Sequence, residues 1–97
     1  MAPADFLVHD EGDQVAVAVH DVAPGSRRAA YLDSDREVDV QALEAIPLGH
    51  KVALADLGEG ADVIEYRVRV AVTRQPIRRG ELVHVHNVRS ARWQTSA

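Results

Sequence analysis

Two histidines near the C-terminus, His84 and His86, have the spacing that most directly indicates chemistry. We predict a short strand over Leu82–Asn87, in which alternate side chains point to the same face. The two imidazoles would then lie about 7 Å apart on that face, with the Asn87 carboxamide close by. Imidazole titrates near neutral pH and binds borderline metals, so such a pair can transfer protons, ligate a metal or bind an anion. Two solvated edge histidines are an equally acceptable interpretation.

A second candidate is the segment Gly49-His50-Lys51, which places an imidazole and an ammonium directly after a turn glycine. Short loops of this kind often display functional groups. The competing interpretation has His50 bonded to its own loop backbone and Lys51 solvated. His9 also sits at the end of a predicted strand, whereas His20 looks incidental. The sequence contains no HExxH, no phosphate-binding glycine loop and no GxSxG, so those enzyme templates find no support.

Length, charge and composition restrict the remaining options. The 97 residues allow one domain with a modest core, and aromatic residues make up only 4% of the chain, so that core must be aliphatic. A formal net charge of −4 without a basic patch argues against nucleic acid as a partner. The chain has no cysteine, no secretory pattern and no apolar run long enough for a bilayer. We therefore expect a cytoplasmic protein without membrane contact.

The elements that must position these side chains are short strands separated by glycine and proline turns. A turn module, apolar-x-x-Gly-x-x-apolar, begins at Ile46, Leu57 and Ile77, with a partial copy at Val22. Strands are predicted for residues 6–9, 14–19, 37–41, 51–55, 63–72 and 82–87. Residues 23–34 read as a surface excursion around a short strand. Residues 40–46 could form one or two helical turns. These patterns predict a compact, mostly β domain over residues 5–93, with frayed termini at 1–4 and 94–97.

Several of these segments, taken together and in order, resemble a known family. They are FLVHDEGD and VAVA near the N-terminus, IPLGHKVAL in the middle, and VIEY and VHVHN towards the end. The set resembles the SAF-type small domain of the altronate and galactarate dehydratase family. The ending VRSARW is similar in particular to the small alpha subunits of the sulfolactate sulfo-lyase branch. The resemblance covers roughly residues 6–93.

This resemblance implies a β-clip fold and a role as the small subunit of a two-subunit lyase. Members of the family eliminate water, or bisulfite in the sulfo-lyases, from hydroxy or sulfonated sugar-type acids, usually with a requirement for divalent iron. The partners implied are a large lyase subunit and a small acidic substrate. The matching positions assign catalytic roles to His84 and His86, and substrate binding to the following residues: His9, His50, Lys51 and Asn87.

Two departures from the family pattern concern one segment. Glu65 stands where the family usually has a lysine, and Arg67 replaces the glycine after Tyr66. A carboxylate in place of a cation reverses the local charge, and a side chain in place of glycine closes space for a ligand. The alternative to a lyase subunit is therefore a non-catalytic SAF-type module that binds an acidic sugar or a protein partner.

Three expectations concern the chain in isolation. We expect it to be inactive alone, and to self-associate as a homodimer or larger species through a surface that a large subunit would cover. We also expect it to bind divalent metal weakly or not at all, because no carboxylate lies within 82–87. His84 and His86 could join an iron site in the assembled enzyme, with His50 beside them if its turn folds over their face. Monomers in sedimentation, or stoichiometric iron or zinc by calorimetry, would contradict these expectations.

Overall fold

In the computed structural model, which describes residues 4–90, the chain is built from strands and turns, and no helix occurs within that range. The described part of the chain contains nine strands: β1 Phe6–Val8, β2 Val15–Ala18, β3 Gly25–Tyr31, β4 Glu37–Ala42, β5 Lys51–Ala53, β6 Asp62–Glu65, β7 Val68–Thr73, β8 Leu82–Val83 and β9 Val88–Ser90. The predicted mostly-β domain is thus confirmed. The frayed termini predicted at 1–4 and 94–97 lie outside the described residues, apart from Ala4.

The strands form two sheets. Six strands pair in the order β4-β3-β1-β2-β5-β8, and three pair in the order β6-β7-β9. β1 lies at the centre of the larger sheet, antiparallel to β2 and parallel to β3, so strands distant in sequence meet there. One cluster of small aliphatic side chains around Phe6 forms the core of this sheet, and a second cluster around Ile77 joins it to the smaller sheet.

Two predicted elements differ from the structure. Residues 23–34 contain a longer strand than the short one predicted within a surface excursion, because β3 runs for seven residues between β1 and β4. The helical turns proposed within 40–46 do not form, since β4 extends to Ala42 and pairs with β3 along its full length. Val40 and Ala42 then alternate inward as buried strand residues, which a helix would not allow.

The predicted turn module recurs as one structure. Its first residues, Ile46, Leu57 and Ile77, are buried and make isolated bridges, two of them with each other. In each copy the amide of the glycine donates to the carbonyl at the end of an earlier or neighbouring strand: Gly49 to Ala18 at 2.9 Å, Gly60 to Thr73 at 3.1 Å and Gly80 to Ala53 at 2.8 Å. All three glycines have positive φ. The module therefore ends one element and fastens the next to an existing strand.

The segment 63–72, predicted as one strand, is instead a hairpin. β6 and β7 pair antiparallel through a two-residue turn, Tyr66-Arg67, with a register shift at Val63/Ile64. Both turn residues have positive φ, 55° and 64°, which is the type I′ geometry that right-twisted hairpins favour. The turn was missed because neither residue is Gly, Asn or Asp, the usual signal for it.

This turn supports a stability prediction. We expect Arg67→Gly to raise the free energy of unfolding by about 0.5–1 kcal/mol, because a side chain at positive φ is strained and glycine is not. The Arg67 side chain pairs with Asp10 at 3.6 Å, but it is largely exposed, so the pair contributes little. Urea unfolding of the variant against wild type measures the difference. A less stable variant would show that the Asp10 contact outweighs the backbone strain.

His20, which looked incidental in sequence, anchors the start of β1. Its Nδ1 lies 2.7 Å from the Asp21 carbonyl oxygen and its Nε2 lies 2.9 Å from the Asp5 carboxylate. Asp5 also accepts a hydrogen bond from the Arg28 amide. The Asp21 carbonyl, and after it the Asp5 carboxylate, raise the pKa of His20 above its usual 6.5. The imidazolium thus ties β1 to the turn after β2.

The raised pKa of His20 predicts a pH-dependent contribution to stability. A histidine whose pKa is higher in the folded than in the unfolded chain stabilises the folded state when it is protonated. This stabilisation is fully present below the pKa of the unfolded chain, and it is lost as the pH rises through the pKa of the folded chain. His20→Gln should therefore lower Tm at about pH 5.5, and the difference from wild type should vanish by about pH 8.5. Because the ring is exposed, we expect a small effect. A difference that grows with pH would contradict this assignment.

Candidate functional site

An open groove of about 620 Å³ lies where the β5–β8 edge of the larger sheet meets the smaller sheet. Val63, Ala71 and Val83 line it and belong to the second core cluster, so its floor is fixed by packing. Six polar residues also line it: His50, Lys51, Arg74, His84, Arg89 and Ser90. An apolar floor with a cationic and imidazole rim is suited to a small organic anion.

The predicted strand over Leu82–Asn87 ends at Val83, and His84 and His86 occupy a turn instead. Asn87 causes this: its side-chain oxygen accepts from the His84 amide at 3.0 Å and its side-chain nitrogen donates to the Leu82 carbonyl at 2.7 Å. The backbone amide of Asn87 also donates a hydrogen bond to the His84 carbonyl. Local side-chain bonding has thus replaced the strand, and the expectation of two histidines sharing one strand face was wrong.

Asn87 is 2% exposed, and both ends of its carboxamide hold the backbone of this turn. These contacts give it a structural role, and they provide no support for the prediction that it binds substrate. His86 is exposed on the turn and is not among the residues that line the groove. Val85, between the two histidines, lines the groove although it is 69% exposed.

The imidazole pair that the fold creates is His50 with His84. Their ring centroids are 5.0 Å apart with planes inclined by 54°. His50 follows the Gly49 turn, where its amide donates to the Pro47 carbonyl, and His84 follows β8. The turn that carries His50 therefore does fold towards His84. Two adjacent imidazoles can share an anion or pass a proton to a ligand between them.

Lys51, the next residue along the chain, is held by Glu65, which the sequence marks only as a departure from the family pattern. Its Nζ lies 2.9 Å from Oε1 of Glu65, a side chain only 3% exposed. Oε2 of Glu65 lies 4.0 Å from Nε2 of His9. His9 in turn stacks on Tyr66 at 4.1 Å and contacts its hydroxyl at 2.7 Å. The structure therefore connects His9 to the groove through Glu65, behind Lys51.

Glu65 could have been identified from its register. It lies two residues after Val63 on the same strand, and alternate strand residues share a face, so an inward Val63 implies an inward Glu65. Predicting 63–72 as one strand hid this, because no turn then separated Glu65 from the following residues. Arg74, Arg89 and Ser90 were not selected as site residues. The two arginines belong to the arginine-rich last third of the sequence, which could bind a carboxylate or an acidic partner, whereas no motif marks Ser90.

The donors of the described residues do not fit a metal centre. Between residues 4 and 90, no group of three or more His, Asp or Glu side chains is placed to hold an ion. His50 and His84 supply two imidazoles to the groove, and the buried carboxylate of Glu65 is paired with Lys51. Two histidines are fewer than the ligands that catalytic metal sites take from protein.

No helix among the described residues is long and apolar enough to cross a membrane.

Comparison with known proteins identifies relatives of this chain. It is 45% identical over 91 residues to (2R)-sulfolactate sulfo-lyase subunit alpha of Chromohalobacter salexigens, covering 92% of this chain and 97% of that protein. It is 31% identical over 85 residues to altronate dehydratase of Bacillus subtilis, and 36% identical over 78 residues to that of Escherichia coli. These matches cover 88% and 80% of this chain, but only 16% and 15% of the two dehydratases.

The family model described as "Altronate/galactarate dehydratase SAF domain" matches residues 4–91, nearly the entire chain. The matched range contains every strand and every groove residue found within residues 4–90. With such a range matched, and with a relative of nearly equal length at 45% identity, the chain belongs to the altronate/galactarate dehydratase SAF domain family.

Proposed function

We propose that this chain is the small subunit of a two-subunit lyase that eliminates bisulfite or water from a small hydroxy or sulfonated acid. The observation that carries the proposal is the groove in which His50 and His84 lie 5.0 Å apart beside Lys51. The relative named as a subunit alpha has nearly the length of this chain, which supports the subunit role. The substrate proposed first is a sulfonated acid, and a sugar acid is second.

The chemistry of elimination explains what this groove supplies. A base must remove a proton next to a carboxylate, and an acid or a metal must help the leaving group depart. Lys51 and the groove arginines can bind the acid's negative charge, while His50 and His84 can accept or donate protons. Both His50 and His84 are accessible from the open side of the groove. The chain thus provides anion binding and proton transfer.

The rest of the site is proposed to come from the large subunit. Any iron would have to draw most of its ligands from that subunit, because the described residues of this chain do not form a metal site. When bound, iron would supply Lewis-acid help to the leaving group. His84 remains the candidate for contact with such an ion, and His86 would contribute only if the large subunit covers the outer side of its turn.

The docking surface proposed for the large subunit surrounds the groove. Val85 is 69% exposed and lines the groove, and Leu48 is 61% exposed and precedes Gly49, another groove residue. Exposed aliphatic side chains around a polar groove are typical of a surface that a partner covers. Without the partner, the same surface would support the expected self-association, which sedimentation of the isolated chain at several concentrations would measure.

Reconstitution tests the proposal. The chain is co-expressed with a candidate large lyase subunit, and the purified mixture is assayed with sulfolactate, altronate and galactarate. We expect a stable complex that turns over one of the three acids, whereas either subunit alone is inactive. A complex inert towards all three, or no complex, rejects the lyase role. Binding of an acid without turnover would favour the alternative of a non-catalytic binding module.

A further inference from the structure

Glu65 is a buried carboxylate whose position needs an explanation. It is the last residue of β6, its side chain is 3% exposed, and its inward neighbour on the strand is the core residue Val63. Replacing a buried ion pair by apolar side chains of similar volume is often neutral or stabilising for the fold. Packing alone therefore does not account for an acid at this position.

The partner of Glu65 points to that use. Lys51 is the single lysine of the 97-residue chain, and it lines the groove with a side chain that is 39% exposed. Its ammonium lies 2.9 Å from Glu65 Oε1. An ammonium carries three donors, so one can bond Glu65 while the others face a ligand. A lysine side chain is otherwise a flexible chain of four methylenes with a mobile charge.

We propose that Glu65 is a positioning residue: it holds the Lys51 ammonium at a fixed point on the groove wall, where it receives the anionic group of the substrate. This inference rests on the proposed function, because it assigns the task to Lys51 within that reaction. The pair also joins the two sheets, since Lys51 belongs to β5 and Glu65 to β6. Glu65 thereby fixes the distance from the ammonium to the imidazoles of His50 and His84.

A positioning role and a purely structural role predict different kinetics for Glu65→Gln. The variant keeps the ammonium and removes a negative charge from behind it, so affinity for an anion is not weakened. The ammonium is no longer fixed, so fewer bound substrates are correctly oriented. We expect kcat to fall by about tenfold while KM stays equal or decreases. Loss of groove shape alone would raise KM instead.

The first measurement uses the isolated chain and needs no activity. Because Lys51 is the single lysine, reductive methylation modifies only its amine and the α-amino group, which serves as an internal reference. The ammonium must leave Glu65 before it reacts, so Glu65→Gln should raise the methylation rate of Lys51 relative to the α-amino group. We expect an increase of about threefold, which is the effect of losing a partly exposed ion pair. Glu59→Gln, an exposed turn glutamate, is the matched control and should not change it.

The second measurement is steady-state kinetics of the reconstituted complex with the same variants. An unchanged methylation rate in Glu65→Gln, or a kcat within about twofold of wild type, overturns the positioning role. If Glu65→Gln does not fold, Glu65→Asp replaces it, because the shorter side chain keeps the negative charge but does not extend as far towards Lys51. A methylation rate and a kcat equal to those of wild type would again overturn the positioning role. An inert wild-type complex rejects the proposed function, while the methylation assay still decides whether Glu65 holds Lys51.

Discussion

Gly80→Ala is expected to destabilise the chain by at least about 4 kcal/mol, a large part of the roughly 5–15 kcal/mol that keeps a domain folded. Gly80 has φ of +94°, and a Cβ there would lie against the backbone carbonyl of Gln41 at a distance that real Cβ atoms do not reach. Its backbone is also bonded on both sides, to the Ala53 carbonyl and the Leu43 amide. The third turn module therefore cannot move away from Gln41 without breaking one of these hydrogen bonds.

The repeated module provides the control. Gly60 occupies the same position in its own copy, with φ of +76°, and an added methyl group would meet no atom of the described residues within 4 Å beyond its chain neighbours. Gly60→Ala meets only the backbone strain of positive φ, about 1–2 kcal/mol. Urea unfolding followed by circular dichroism compares the two variants. Equal losses at Gly80 and Gly60 would show that φ strain, rather than the approach of β4, makes Gly80 necessary.

The module could be predicted from sequence, but the difference between its copies could not. A glycine flanked by aliphatic residues at fixed spacing is a local signal, and it correctly located all three turns. The approach of Gln41 to Gly80 joins residues 39 positions apart, and it depends on how β4 folds back over the third module. Single-sequence patterns contain no information about such a contact.

The same distinction separates β3, which was predicted only as a short strand within a surface excursion, from the strands that were predicted from local patterns. Val15–Ala18 and Lys51–Ala53 have local alternation or turn signals, and both were predicted. β3, with the sequence GSRRAAY, has little of either signal. Its strand structure comes from pairing with β1 on one side and β4 on the other. Tertiary pairing overrides a weak local preference, and β propensity depends strongly on such context.

At the site, the selected residues and the predicted geometry of the turn have to be considered separately. The residues His50, Lys51 and His84 were all selected, and the fold brings them to one groove. The pairing of His84 with His86 assumed that alternation continues through Asn87. Asparagine bonds readily to its own backbone, and here it ends the strand at Val83. An asparagine at the end of the alternating pattern was the sequence feature that could have indicated a turn here.

His84→Ala is expected to have the largest effect on activity, a fall in kcat of about 10²–10⁴-fold in the reconstituted complex. The His84 ring lines the groove and lies 5.0 Å from His50, so its loss removes one of two imidazoles beside the bound acid. Its backbone amide, not its ring, bonds Asn87. The fold should therefore be unaffected, which circular dichroism and the unfolding midpoint would verify.

His86→Ala is the matched control, because it removes the same ring two residues away on the outer side of the same turn. His86 is exposed and does not line the groove, so we expect a smaller fall in kcat than for His84→Ala. His50→Ala should resemble His84→Ala if the pair acts together, and the double variant should then lose little more than either single one. Equal losses at His84 and His86 would instead place the reacting groups along the turn, on a surface shared with the large subunit. Unchanged turnover in both His50→Ala and His84→Ala would remove the groove from the mechanism.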